Sequence, residues 1–125
     1  MQEMTPKRRY NEIIEHLQNG KNAEAEKLCR QAVDELGDVN FIALLGTILA
    51  RGNDLNAAER ELRRAVQIAP AYPKANEELG AVLLNLGKPQ DAIPYLSKAT
   101  ELNPNSADGF FKLGGAFKLA GDNKT

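Results

Sequence analysis

The sequence repeats itself at a period of 34 residues, and this period constrains the fold more than any other feature of the chain. Gly46, Gly80 and Gly114 follow one another at this step. The same step relates Leu45, Leu79 and Leu113, then Ala65 and Ala99, then Pro70 and Pro104. A period of this length indicates stacked copies of one structural unit.

A more divergent copy precedes the clear ones. Ala25, Cys29 and Ala32 match Ala58, Leu62 and Ala65 at a step of 33 residues. We therefore predict one domain, residues 1–125, made of three units and half of a fourth. The predicted units cover residues 5–38, 39–72, 73–106 and 107–125.

Each full unit has the pattern of two helices. Apolar residues recur at three and four positions, as in Ala92, Leu96 and Ala99, which is helical spacing. Glycine and asparagine between these stretches favour turns, including a turn at Gly121-Asp122-Asn123. Pro94 stands early in its helix, so we expect a slight bend and no break. The predicted helices cover residues 6–19, 22–36, 39–51, 54–68, 73–86, 89–102 and 107–120.

These units resemble the tetratricopeptide repeat (TPR), whose signature places Leu-Gly on the first helix, two spaced alanines on the second and proline at the end. The third unit carries the signature at Leu79-Gly80, Leu83, Ala92, Leu96, Ala99 and Pro104. Asn76 and Ile42 stand where the family prefers tryptophan, and Glu12-Ile13 replaces Leu-Gly in the first unit. The resemblance implies an all-α, right-handed superhelical solenoid of about seven helices in antiparallel pairs.

The residues needed for catalysis or metal binding are scarce. The chain has one histidine, His16, and one cysteine, Cys29, which cannot form a zinc site. Both stand on apolar helix faces, so we interpret them as packing residues. We predict no enzymatic activity, no metal and no cofactor for this chain.

Nucleic acid and membrane are not predicted as partners. The net charge is −1. Arg60, Arg63 and Arg64 form a basic cluster on one helix, but Glu59 precedes Arg63 by four residues and is predicted to pair with it. The longest apolar stretch, 41–50, is too short for a membrane span. The charged N-terminus is unlike a secretion signal, so we expect a cytoplasmic protein. Without export the sequence Asn123-Lys124-Thr125 would not be glycosylated, so we interpret this sequon as a chance match.

The resemblance places the functional surface in the concave groove formed by the first helices of the units. Asparagines there can bond a peptide backbone, Tyr10 and Phe111 can anchor side chains, and Glu77 with Glu78 suggests an acidic spot. The predicted groove residues are Lys7, Tyr10, Asn11, Ile14, Asn40, Ala43, Leu44, Thr47, Arg51, Lys74, Glu77, Glu78, Ala81, Asn85, Asp108, Phe111 and Lys112.

One TPR subclass holds the C-terminal carboxylate of chaperones in a clamp of lysine, asparagine and arginine side chains. The equivalent places here hold Tyr10, Ile14, Leu44, Lys74 and Glu78. Only Lys74 agrees, and Glu78 has the opposite charge. The resemblance therefore does not predict a chaperone-tail clamp.

The leading hypothesis is a non-catalytic protein-interaction module or scaffold that binds a peptide or partner helix in its groove. The alternative is the N-terminal TPR region of a larger enzyme, such as a bacterial sulfotransferase, glycosyltransferase or hydroxylase. The half unit leaves an apolar stripe, Phe110, Leu113 and Phe117, without a second helix. We therefore expect either a fragment of a longer array or self-association through that stripe.

Overall fold

A computed structural model describes residues 4–122 and confirms the all-α class. Every predicted helix is present, and its ends differ from the prediction by at most two residues. The helices are α1 (Pro6–Gln18), α2 (Asn22–Leu36), α3 (Val39–Arg51), α4 (Leu55–Ile68), α5 (Pro73–Asn85), α6 (Pro89–Leu102) and α7 (Ala107–Asp122).

The end of α7 corrects one prediction. The helix continues through Gly121 to Asp122, so the predicted turn does not form at these two residues. Earlier turns form where a second helix folds back onto the first, and within the described residues no helix follows α7. Asn123, with the predicted sequon, lies outside the described residues.

The helices pack in sequential antiparallel pairs. Each helix contacts the next one along the chain, and in addition α3 contacts α5 and α5 contacts α7. The first helices of the units therefore lie side by side in one layer, with α2, α4 and α6 against them. Eight of the 13 residues of α3 are buried, because this helix lies at the centre of the stack.

Glycine on the first helix lets the second helix approach closely. A Cβ added at Gly46 would lie 2.5 Å from Cγ of Leu62, and Leu96 stands equally close over Gly80. Both leucines are fully buried. The leucine side chain thus occupies the space that any larger residue on the facing helix would need.

The first unit uses the reverse arrangement of sizes. The positions equivalent to the glycine and the leucine hold Ile13 and Cys29, which are 1% and 0% exposed. Here the large side chain is on the first helix and the small one is on the second, and both belong to the buried core. This exchange explains how a unit without the family glycine keeps its packing.

Left-handed backbone closes the turn inside each full unit. Gly20 and Gly87 have φ of 75° and 76°, and Asn53 takes the same conformation with φ of 64°. Asparagine tolerates this region better than most residues, which explains its use there. Pro94 lies inside a continuous α6, so the expectation of no break is confirmed.

Asn76 replaces the family tryptophan with a polar contact. Its side chain is 2% exposed, and its amide nitrogen donates to the carbonyl oxygens of Pro70 and Tyr72 at 3.1 Å and 2.8 Å. These carbonyls belong to the linker that joins the second and third units. The amide therefore holds the linker against α5, and a buried polar side chain is satisfied.

The size exchange predicts the outcome of a double substitution. Gly80→Ile should reduce stability by about 1–3 kcal/mol, because the new side chain overlaps Leu96. Adding Leu96→Cys, which reproduces the first unit, should recover part of that loss. Urea denaturation followed by circular dichroism measures both effects.

Gly114→Ile is the matched control, because a Cβ at Gly114 meets no atom within 4 Å. It should not lower stability. Equal losses for the Gly80 and Gly114 variants would contradict the packing described here.

Candidate binding groove

A pocket opens on the layer of first helices, between α1, α3 and α5. We call it the central pocket; its volume is about 220 Å³. It brings together eight of the predicted groove residues and adds Leu17 and Tyr72, which the sequence did not predict. The lining residues are Tyr10, Ile14, Leu17, Ala43, Leu44, Thr47, Arg51, Tyr72, Lys74 and Glu78.

The floor of the central pocket is apolar and its rim is charged. Leu17, Ala43 and Leu44 are buried, whereas Arg51 and Lys74 are exposed. A floor of this kind favours an apolar side chain, and the rim favours a polar group beside it.

Tyr72 was missed because it lies in the linker between two units, just before the proline that starts α5. Linker aromatics have no helical spacing that would place them on a face. Burial, together with nearby Tyr10 and Asp38, raises the pKa of Tyr72. Its hydroxyl therefore stays protonated at neutral pH and can donate a hydrogen bond.

A second pocket, of about 340 Å³, adjoins the first near the start of α1 and α3. We call it the outer pocket; Tyr10 lines both pockets. The Tyr10 ring meets the buried Phe41 ring edge-on, with centroids 5.7 Å apart. The remaining lining residues of the outer pocket are Pro6, Lys7, Asn11, Asp38 and Asn40.

The expected acidic spot does not match the structure. Glu77 accepts from Lys112 Nζ at 3.0 Å, and Glu78 pairs with Lys74 Nζ at 3.2 Å. Lys112 also bonds Asp108 at 2.9 Å. Both glutamates thus already have cationic partners: Glu78 has a lysine one helical turn away on α5, and Glu77 has a lysine of the neighbouring helix α7.

The charge of Lys112 is stabilised by this arrangement. Partial burial works to lower the pKa of Lys112, but its hydrogen bonds to Asp108 and Glu77 outweigh burial and raise it. The hydrogen bond from Lys112 to Asp108, together with the positive charge of the ammonium, lowers the pKa of Asp108. Lys112 and Asp108 therefore remain ionised and paired near neutral pH.

Six predicted groove residues line neither pocket: Glu77, Ala81, Asn85, Asp108, Phe111 and Lys112. Asn85 is exposed at the end of α5, and the Phe111 side chain on α7 is 80% exposed. The structure does not bring them to the central pocket. Glu77 and Lys112 are held together as an ion pair, also outside that pocket.

Arg51 is the unpaired cation of the central pocket. No ion pair or hydrogen bond of its side chain is found within residues 4–122, whereas Lys74 pairs with Glu78. Lys7, in the outer pocket, is similarly unpaired in that range. Arg51 and Lys7 are therefore groove cations without an ion-pair partner in that range, whereas Asp38 in the outer pocket accepts from the Asn40 N–H at 2.8 Å.

Comparison with known sequences decides the family. One tetratricopeptide repeat profile matches residues 10–76, and another matches residues 49–110. The chain belongs to the tetratricopeptide repeat family. No curated protein sequence matches this TPR chain.

Solved structures share its fold. The first TPR of Spaghetti (RPAP3) bound to the HSP90 peptide SRMEEVD has a TM-score of 0.85 at 20% identity, covering 89% of both chains. MamA residues 41 to the end, from Desulfovibrio magneticus RS-1, gives a TM-score of 0.82 at 25% identity, covering 94% of this chain and 68% of that one. A mutant of the Thermobaculum terrenum O-GlcNAc transferase gives 0.82 at 25% identity, over 88% of this chain and 21% of that one.

Helix α4 of this TPR array carries ion pairs on its surface. Arg63 donates to Glu59 at 2.8 Å, which confirms the predicted pair, and to the Tyr95 hydroxyl at 2.9 Å. The Arg63 hydrogen bond lowers the pKa of Glu59. Arg64 lies 3.7 Å from Glu61. Two of the three clustered arginines are therefore engaged with other side chains.

The described part of the chain contains no candidate metal site. Within residues 4–122, no three His, Cys, Asp or Glu side chains are close enough to hold a metal ion. His16 is half-buried with Glu12 4.0 Å away. No helix in the same range is long and apolar enough to cross a membrane.

Cys29 is a packing residue. It is fully buried, and its Sγ donates to the Phe41 carbonyl oxygen at 3.2 Å. Burial raises the pKa of the Cys29 thiol from 9.0 to about 12, with a smaller opposing effect of Arg30. A thiol that is protonated and enclosed is a poor nucleophile.

This burial predicts slow thiol chemistry. At mildly alkaline pH, Cys29 in the folded protein should react with Ellman's reagent far more slowly than in guanidinium chloride, because only the unfolded thiol is accessible and ionises readily. Absorbance of the released thiolate measures both rates. Equal rates in the two solutions would show that Cys29 is accessible.

Proposed function

We propose that this TPR array is a non-catalytic protein-interaction module that binds an extended peptide in its groove. One apolar side chain of the peptide enters the central pocket, and a neighbouring carboxylate pairs with Arg51. The observation that carries the proposal is the central pocket itself, in which a buried floor of Leu17, Ala43 and Leu44 adjoins an unpaired arginine. Asn11 and Asn40, in the outer pocket, supply amides for the peptide backbone.

The structure of the RPAP3 TPR with a bound HSP90 peptide supports peptide binding by this fold. The details of recognition differ here. Tyr10, Ile14 and Leu44 stand at three of the clamp positions, and Lys74 is paired with Glu78. The groove therefore recognises an internal stretch of peptide through an apolar side chain, and a terminal carboxylate contributes little.

This difference is testable with the peptide SRMEEVD. Amidating its C-terminus should leave its affinity for this protein unchanged, because the side chains that would hold the carboxylate are missing. Isothermal titration calorimetry of the free and amidated peptides measures the effect. A large loss of affinity on amidation would show that the groove contains a carboxylate clamp after all.

Peptide selection tests the proposal itself. From a random library displayed on phage, the protein should select sequences with a large aliphatic residue close to Asp or Glu. Arg51→Glu should weaken a selected synthetic peptide by roughly fivefold or more, because an attractive contact becomes repulsive. Fluorescence anisotropy measures the affinities.

Arg60→Glu is the matched control, since Arg60 is an exposed arginine on the outer helix α4. It makes the same charge change away from the groove, so binding should be retained. Equal weakening by both variants would mean that net charge, and not the central pocket, determines binding.

The alternative is a TPR region within a larger enzyme, where the groove guides a protein substrate. The similarity to the O-GlcNAc transferase favours it, since this chain covers 21% of that protein. In both cases we propose that the repeat units cover residues 5–38, 39–72, 73–106 and 107–125. We also propose a cytoplasmic location. Sequencing the gene beyond the codon for Thr125 distinguishes further repeats from a catalytic domain.

A further inference from the structure

Asp38 in the outer pocket is a carboxylate with only part of its hydrogen-bonding capacity used. Its Oδ1 atom accepts from the backbone N–H of Asn40 at 2.8 Å and thereby caps α3. No hydrogen bond to its Oδ2 atom and no ion pair of its side chain is found among residues 4–122. The outer pocket therefore contains a negative charge that a bound group can still neutralise.

The outer pocket also contains a cation, but Asp38 is the more firmly placed of the two charges. Lys7 is exposed in the first turn of α1, and its charge stands at the end of a flexible stem. Asp38 is partly buried and is held by its capping bond. Because less water screens a partly buried charge, Asp38 interacts more strongly with a bound group than Lys7 does.

An aromatic ring lines the same pocket. It belongs to Tyr10 and rests edge-on against Phe41, which is buried. A cation that lies near such a ring and beside a carboxylate is stabilised by both. A guanidinium suits this place best, since it is planar and has five N–H donors. The side-chain oxygens of Asn11 and Asn40 can accept from the donors that Asp38 leaves unused, so their NH₂ groups stay available to the peptide backbone.

Helix α3 sets the distance from the outer pocket to the unpaired arginine of the groove. Asp38 precedes the first residue of α3 and Arg51 is the last, so a helix of 13 residues separates them. At about 1.5 Å per residue this is about 20 Å, which an extended peptide covers in about six residues. We infer that the outer pocket binds an arginine of the peptide, about six residues from the Asp or Glu that pairs with Arg51. This inference rests on the proposed function, because it takes the contact at Arg51 as given.

The groove thereby selects a peptide with a basic end and an acidic end, on either side of the aliphatic residue in the central pocket. An acidic side chain fits the outer pocket less well, because it would lie beside the Asp38 carboxylate in a partly buried place. Lys7 can move away from a bound arginine, since its stem is exposed and flexible. Asp38 cannot move away from a bound carboxylate without losing its capping bond to Asn40.

The substitution Asp38→Asn tests this inference without removing the helix cap. Asparagine caps a helix as well as aspartate does, so the variant loses the charge and keeps the fold. The natural protein and the variant each select peptides from the same random library on phage. Peptides selected by the natural protein should carry Arg about six residues from Asp or Glu, and those selected by the variant should lose this enrichment. Both sets should retain the aliphatic residue close to Asp or Glu.

A selected peptide, synthesised with its arginine or with glutamine in that place, measures the contact itself. Asp38→Asn should weaken the arginine peptide by roughly fivefold and leave the glutamine peptide nearly unchanged. Asp91→Asn is the matched control, because Asp91 is exposed in the first turn of the outer helix α6. It should bind both peptides as the natural protein does. Fluorescence anisotropy measures the affinities, and circular dichroism verifies that both variants are folded.

The outcomes separate this inference from the proposed function. Selection of the aliphatic and acidic pair without a basic residue at that spacing would overturn the inference and support the proposed function. Enrichment of Asp or Glu in place of Arg, abolished by Lys7→Gln, would assign the outer pocket to an acidic side chain and overturn the inference as well. Equal weakening of the arginine and glutamine peptides by Asp38→Asn would also overturn it. Selection of peptides that lack the aliphatic and acidic pair would contradict the proposed function, and the inference with it.

Discussion

The structure depends on close contact between a small residue on one helix and a large one on its partner. In the second and third units, glycine on the first helix admits leucine from the second, at a distance that no Cβ could tolerate. In the first unit, Ile13 and Cys29 hold the same places with the sizes reversed. Because interiors are close-packed, what the fold maintains is the filled volume and not the identity of either residue.

The groove follows from this packing. Each helix pair buries only part of its apolar surface, so pairs stack, and the first helices form a continuous layer. The floor of the central pocket comes from α1 and α3. Tyr72 comes from the linker that follows α4, and the lysine–glutamate pair at the rim comes from α5 of the third unit. The central pocket therefore draws its lining from three units, so no single repeat could form it.

Charge is distributed along the layer in a way that assigns roles to its two parts. Around α5 and α7, Glu77, Asp108 and Lys112 neutralise one another across adjacent units. Around α1 and α3, Arg51 has no partner among the described residues. The paired cluster ties units together, and the unpaired arginine is available to a ligand. Surface pairs contribute little stability each, so their main effect here is to determine which charge remains accessible.

The sequence by itself determined the helices, their order and their pairing, because periodic glycine, alanine and leucine leave few ways to bury apolar surface. The resemblance to the family also predicted Tyr10, Leu44 and Arg51 as groove residues, and all three line the central pocket. Only the tertiary structure decided that Glu77 is neutralised by Lys112, 35 residues away, and that linker residue Tyr72 enters the pocket. Such contacts depend on how units stack and where long side chains reach, and no pattern within one helix records either.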